Sequence, residues 1–409
     1  MLDRPSVVRP PHATRLIVLV GCLSAFGPLS IDMYLPGFPR IEHAFHTSQP
    51  PVQLTLTACI VGLALGQIVA GPLSDARGRR GPLMAGLGLY GLASLLCAIA
   101  PSVWLLVVLR LGQGLAGAVG LVIANALVRD AWGGLGAARV FSLTLLVRSA
   151  APIVAPVIGG AVLSFTSWRG IFVVLAATGF ALLGAVALLL PETHPHERRR
   201  PGGVRDTTRT FRRLLRTRAF MGYAASQGFV FGTMFAYIAG SPFVLEKIYG
   251  LSPGEFSLAF AVNAGGIMAT GQLNGFLVGR VGARRLLRVG LALSAAGTLG
   301  LLTVVVTGAP GLWLFLPPLF VTAAAMGLII PNAAALALQD EGTVAGSASA
   351  LIGVLQYAPA ALAAPLVGIA GVSAYPMAII MAVLSCTAGL LFVTLAPWKH
   401  RRTPELAHA

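Results

Sequence analysis

Three charged side chains in this 409-residue chain fall deep inside long apolar runs: Asp32, Arg110 and Arg148. An acid at membrane depth costs roughly 2.5–3.5 kcal/mol on insertion scales, so a function is its default reading. Asp32 sits about seven residues before Pro39, the end of the first run, or roughly 10 Å below that end at about 1.5 Å per residue. Arg110 lies as far into the fourth run, which is traversed in the opposite sense, so it shares that depth. Burial favours the neutral acid and a neighbouring guanidinium favours the charged one, so small changes in spacing or wetting can move a proton on and off Asp32. Arginine keeps its own proton and acts as a fixed charge. The pair reads either as a proton-coupling element or as a static ion pair. Arg148, roughly 15 Å from the other end of the fifth run at about 1.5 Å per residue, matches neither depth. It either snorkels or faces a cavity.

Other chemistries find little support. The sequence has no G-x-x-x-x-G-K-[ST] phosphate loop, so ATP is not the expected energy source. Cys22, Cys59, Cys97 and Cys386 lie singly in apolar runs with no C-x-x-C spacing, which predicts small buried hydrophobes without disulfide or metal. No soluble catalytic constellation appears. The expectation is a protein that is not an enzyme and has no cofactor beyond a proton gradient.

The elements that must position these residues are membrane helices. The chain is 56% hydrophobic and 10% charged, where soluble domains carry about 25% charged residues. Runs fall at 15–39, 52–74, 82–101, 103–127, 138–164, 169–190, 218–245, 253–278, 286–307, 312–336, 344–371 and 374–396, each about the 20 residues a bilayer demands. With the N-terminus in the cytoplasm, 24 Lys and Arg fall on the cytoplasmic side and three (Arg40, Arg169, Lys247) on the other. That split predicts both termini inside. The net charge of +16 is therefore a topology device, and nucleic acid is not an expected partner. The polar connector 191–217 separates 1–190 from 218–409, six runs from six, and reads as a solvated cytoplasmic loop.

A repeat supports that division. Gly71-Pro-Leu-Ser-Asp75-Ala-Arg-Gly78-Arg79-Arg80-Gly81 follows the second run, and Gly275-Phe-Leu-Val-Gly-Arg-Val-Gly282-Ala-Arg284-Arg285 follows the eighth. Gly71/Gly275, Gly78/Gly282 and Arg80/Arg284 share one offset, the mark of a duplicated bundle with its site between halves. The loop resembles the signature between helices 2 and 3 of the major facilitator superfamily, with Ala76 where a basic residue is usual. Arg110-Leu-Gly-Gln113-Gly114 resembles the helix 4 motif of its proton-driven members. Ala151-Pro152-Ile-Val-Ala-Pro156-Val-Ile-Gly159-Gly160 is similar to its helix 5 antiporter motif, with Ala155 in place of glycine. Asp32-Met-Tyr-Leu-Pro36, Asn125-Ala-Leu-Val-Arg-Asp130, Leu190-Pro-Glu-Thr193 and Ser241-Pro-Phe243 look like the bicyclomycin-resistance and chloramphenicol-efflux branch.

The resemblance implies an all-α fold of twelve transmembrane helices in two pseudo-symmetric six-helix bundles. It also implies a monomeric bacterial inner-membrane exporter of small amphipathic drugs in exchange for protons. A nutrient or metabolite symporter or uniporter of the same fold is the alternative. Asp32 and Arg110 are then the coupling pair, and Gly71, Asp75, Gly78, Arg79 and Arg80 the conformational gate. Pro152, Pro156, Gly159 and Gly160 form the antiporter-like segment, expected to be kinked and closely packed. The polar and aromatic residues Tyr34, Gln113, Asn125, Gln227, Phe235, Tyr237, Asn263, Gln356 and Tyr357 are candidates to line a cavity, although helix packing would also use such side chains.

Overall fold

A computed structural model describes residues 13–396, apart from 133, 193–203, 309–310, 340, 342–343, 370 and 372. The first half contains α1 (Ala13–Asp32), α2 (Phe38–Ala44), α3 (Gln49–Arg77), α4 (Arg80–Ala98), α5 (Val103–Ala131), α6 (Gly134–Phe165) and α7 (Trp168–Leu189). After the connector helix α8 (Val204–Arg216) come α9 (Arg218–Pro242), α10 (Pro253–Val281), α11 (Ala283–Val306), α12 (Leu312–Leu338), α13 (Ala345–Val367) and α14 (Ala374–Leu395). All except α2 and α8 are long enough to cross a bilayer, which makes a multi-pass membrane protein. By length and apolar composition together, nine spans qualify among the described residues. The polar residues Asn263, Gln272 and Asn274 dilute α10, and the apolar parts of α6 and α13 count as the shorter stretches Ala150–Phe165 and Leu351–Val367.

Three local expectations change. The first run is not one helix to residue 39: α1 stops at Asp32, a 3₁₀ turn covers Leu35–Gly37, and α2 follows. Pro36 disfavours helical backbone at Leu35, and Pro39 opens a new first turn. The connector is also not purely a solvated loop. Its helix α8 buries Leu214 and packs against α9 and α13, with Arg213 paired to Glu341 at 2.5 Å. Finally, Cys59 and Cys97 are buried, but Cys22 and Cys386 are exposed.

Packing repeats between the halves. α3 on α5, α4 on α5 and α7, and α1 on α6 recur as α10 on α12, α11 on α12 and α14, and α9 on α13. Small residues allow this: a side chain on Gly114 would strike the Cys59 carbonyl, and one on Gly327 the Ile267 carbonyl. The halves meet through α3 with α13 and α6 with α10, so the second span of each faces the fifth of the other. At the end opposite the Gly71–Gly81 loop, three polar contacts cross this seam. Lys247 Nζ meets Glu42 Oε2 at 2.5 Å, Gln53 Nε2 donates to the Ala239 carbonyl at 3.1 Å, and Thr57 Oγ1 donates to the Ala361 carbonyl at 3.4 Å.

Candidate coupling and gating sites

Ser102 caps α5, accepting from the Leu105 amide at 3.2 Å, and Arg110 sits about two turns further on. Its side chain is completely buried. Nη2 donates to the Ser30 carbonyl at 3.0 Å, and Nη1 to Gln113 Oε1. Gln113 Nε2 passes the chain on to Ser94 Oγ at 2.7 Å. The guanidinium carbon lies 4.2 Å from the centre of the Tyr34 ring and 5.6 Å from that of Phe172, inside cation–π range. Tyr34 is fixed in turn by Thr55, and Ser30 by Tyr90, each through hydroxyls 2.6 Å apart.

The expected pairing of Arg110 with Asp32 is therefore not formed. Ser30 is among the last residues of α1, whose final carbonyls lack helical partners and carry partial negative charge. Because the helix ends early, Arg110 meets that carbonyl and not the carboxylate. Asp32 is 5% exposed and makes no ion pair among the described residues. It lies within electrostatic reach of Tyr237 in the other half. Tyr237 accepts from Asn263 Nδ2 at 2.9 Å and stacks on Phe260, with ring centres 5.4 Å apart.

The remaining candidates divide. Tyr34 and Gln113, expected as cavity walls, are taken up by the Arg110 cage and wholly buried. Phe235 packs on Phe231 at 5.0 Å, and Phe231 on Tyr357 at 5.6 Å, which joins α9 to α13. Gln227 is buried with Oε1 unpartnered, while Asn125 and Gln356 are half-buried. The Arg148 side chain lies outside the described residues. Despite Pro152 and Pro156, α6 runs unbroken from Gly134 to Phe165. A Cβ on Gly159 would collide with the Met33 carbonyl, and one on Gly160 with Ser257 and Pro253 of α10. The glycine pair thus fits α6 between the end of α1 and the other half.

At the loop between α3 and α4, Arg79 is enclosed by acids. Its Nε donates to Asp130 at 2.9 Å, and its Nη1 to Asp75 at 2.5 Å and to Ser74 at 2.7 Å. Burial alone would loosen the Arg79 proton, but Asp130 and Asp75 outweigh it and hold the guanidinium above its ordinary pKa. Glu192 accepts from the Arg79 amide at 2.8 Å and the Arg80 amide at 3.2 Å, an anion at the positive end of α4. Arg80 Nη2 reaches the Ala187 carbonyl at 2.7 Å. The latch therefore ties the ends of α3, α4, α5 and α7, and it rests on Asp130 and Glu192 as much as on the loop. Gly78 turns the chain at φ +93° and Gly282 at φ +87°, a region costly for other residues. Gly71 sits on α3 in open space.

Two six-helix halves sharing one packing plan, a buried acid near their seam and an acid–arginine latch at one mouth define a membrane transport protein rather than an enzyme. The chain belongs to the Major Facilitator Superfamily, whose family model matches residues 20–364. It is 41% identical to the uncharacterized MFS-type transporter YdgK of Bacillus subtilis over 93% of this chain and 95% of that one. It is 33% identical to the bicyclomycin resistance protein homolog of Haemophilus influenzae, covering 86% of this chain and 88% of the relative. These relatives place it in the bicyclomycin-resistance branch of the family. In fold, it matches the crystal structure of a bacterial homolog of the human lysosomal transporter Spinster with a TM-score of 0.71 at 15% identity, over 95% and 96% of the two chains.

Proposed function

We propose that this protein exports small amphipathic compounds across the bacterial inner membrane in exchange for protons, with both termini cytoplasmic and Asp32 as the proton carrier. The carrying observation is the position of Asp32. It is enclosed at the end of α1, makes no ion pair among the described residues, and lies within electrostatic reach of Tyr237 of the opposite half. Enclosure penalises the charged carboxylate and wetting relieves that penalty, so relative movement of the halves changes which form Asp32 prefers. Arg110 acts as the fixed charge that anchors the end of α1, and it biases Asp32 through the helix terminus rather than by contact. The bicyclomycin-resistance name of one relative supports an amphipathic drug as cargo. The latch at Arg79 is the conformational gate, remote from the coupling acid. The test is substrate-induced proton release from purified protein. Asp32→Asn abolishes release while binding of a neutral drug persists. Proton release by Asp32→Asn together with uphill drug transport would place the carrier elsewhere.

A further inference from the structure

Between α3 and α4 the bundle leaves a furrow. α3 is drawn onto α5 until the backbones touch: a Cβ on Gly62 would strike the Leu111 carbonyl, and one on Gly66 the Leu115 carbonyl. α4 is drawn the other way onto α7, where Gly91 seats against the Phe180 ring and Gly179 against Tyr90. The two helices therefore part above the Gly78 turn that joins them. The space between has a volume of about 1000 Å³ and is walled by Gly66, Ala70, Ala85, Leu89, Ala93 and Ala116 among others. Its one charged wall residue is Arg77, exposed at the loop end. Arg79 and Arg80 beside it are engaged by the latch, whereas Arg77 makes no ion pair among the described residues.

We infer that this groove is a binding site for one anionic phospholipid, an acyl chain lying along α3 and α4 and its phosphate on Arg77. The dimensions agree. From Gly66 to Arg77 is eleven residues, roughly 16 Å at about 1.5 Å per residue. One leaflet is half of a hydrocarbon core about 30 Å thick. The wall offers no hydrogen-bonding side chain along the membrane interior, which suits an alkyl chain and not a polar solute. With the loop on the cytoplasmic side, as the basic charge distribution supports, Arg77 stands at the level of the anionic headgroups. The concave, three-helix wall distinguishes this face from a convex helix surface, which lipids cover without residence. The bound chain would press on α3, a helix of the seam.

Native mass spectrometry of the purified protein, with phosphatidylglycerol or phosphatidylcholine added, tests the site. The wild type retains one phosphatidylglycerol per chain in preference to phosphatidylcholine. Arg77→Gln cuts that preference by roughly fivefold, the weight of one basic side chain at an anionic surface. Ala93→Trp, which fills the furrow, abolishes retention of both lipids, while Arg285→Gln, in the matching loop of the second half, leaves it unchanged. Thermal unfolding of each variant in the same detergent separates loss of binding from loss of fold. Equal retention of the two lipids by the wild type overturns the proposal, as does full retention by Ala93→Trp. Were Ala93→Trp to block drug transport with lipid retention intact, the groove would be a substrate portal and not a lipid site.

Discussion

Arg110 is a buried cation whose counter-charge is a helix end. That explains why the residue must be arginine: a forked guanidinium reaches the Ser30 carbonyl and Gln113 together while its flat face lies over Tyr34, and an ammonium offers neither the fork nor the plane. We expect Arg110→Lys to slow the proposed drug–proton exchange in proteoliposomes about tenfold, the loss of one charge-assisted hydrogen bond. An exchange rate within twofold of wild type would mean that the cage is only packing. That Asp32 and Arg110 stand apart as charges inside apolar runs could be read from the sequence, and both are buried. Their failure to pair could not, because it depends on where α1 stops. Ser94 and Tyr90, four residues apart on α4, were the available sign of a polar stripe behind Arg110. Single hydroxyls and carbonyls inside apolar runs carry no charge signal by which to choose them.

At the scale of elements, the latch between α3 and α4 is asymmetric although its loop is repeated. The offset that equates Gly78 with Gly282 puts Gly279 where the first half has Asp75, and Ala283 where it has Arg79. The turn is thus duplicated as backbone, without the Asp75 and Arg79 side chains that form the latch in the first half. Within it, the Asp130 side chain is 20% exposed and that of Asp75 is 54% exposed. The more enclosed pair feels a lower effective dielectric and is the stronger hold. Asp130→Asn should therefore slow transport more than Asp75→Asn does, with drug affinity changed less than about twofold in both, as befits loss of one partly buried pair far from the cargo. Stopped-flow transport and equilibrium binding on the same preparations separate rate from affinity. A large affinity loss in either variant would remove the loop from gating. The turn and its glycines were legible as a repeat. Asp130 and Glu192 lie 51 and 113 residues from Arg79, and only the folded bundle brings them to it.

For the whole molecule, composition and charge distribution made the twelve spans and the six-plus-six plan legible, because bilayer thickness fixes helix length and duplication fixes helix order. What they could not reveal is which faces of the halves meet. That is set by small residues whose neighbours are distant in sequence, such as Gly160 against Ser257 and Gly368 against Gln53. If transport proceeds by rocking the halves about this seam, contacts across it at the end opposite the latch must open in each cycle. Contacts within one half need not. Glu42 and Lys247 form such a crossing pair, whereas Arg213 and Glu341 form a pair inside the second half and its connector. In a chain whose four cysteines are replaced by alanine, cysteines at 42 and 247 joined by a short bifunctional thiol reagent should arrest transport in proteoliposomes. The same reagent on cysteines at 213 and 341 should leave it running. Because either pair of substitutions also removes an ion pair, each is compared with its own untreated form, so only the bridge is scored. Transport that continues with 42 and 247 bridged would show that the halves do not part there, and the seam would be a static joint.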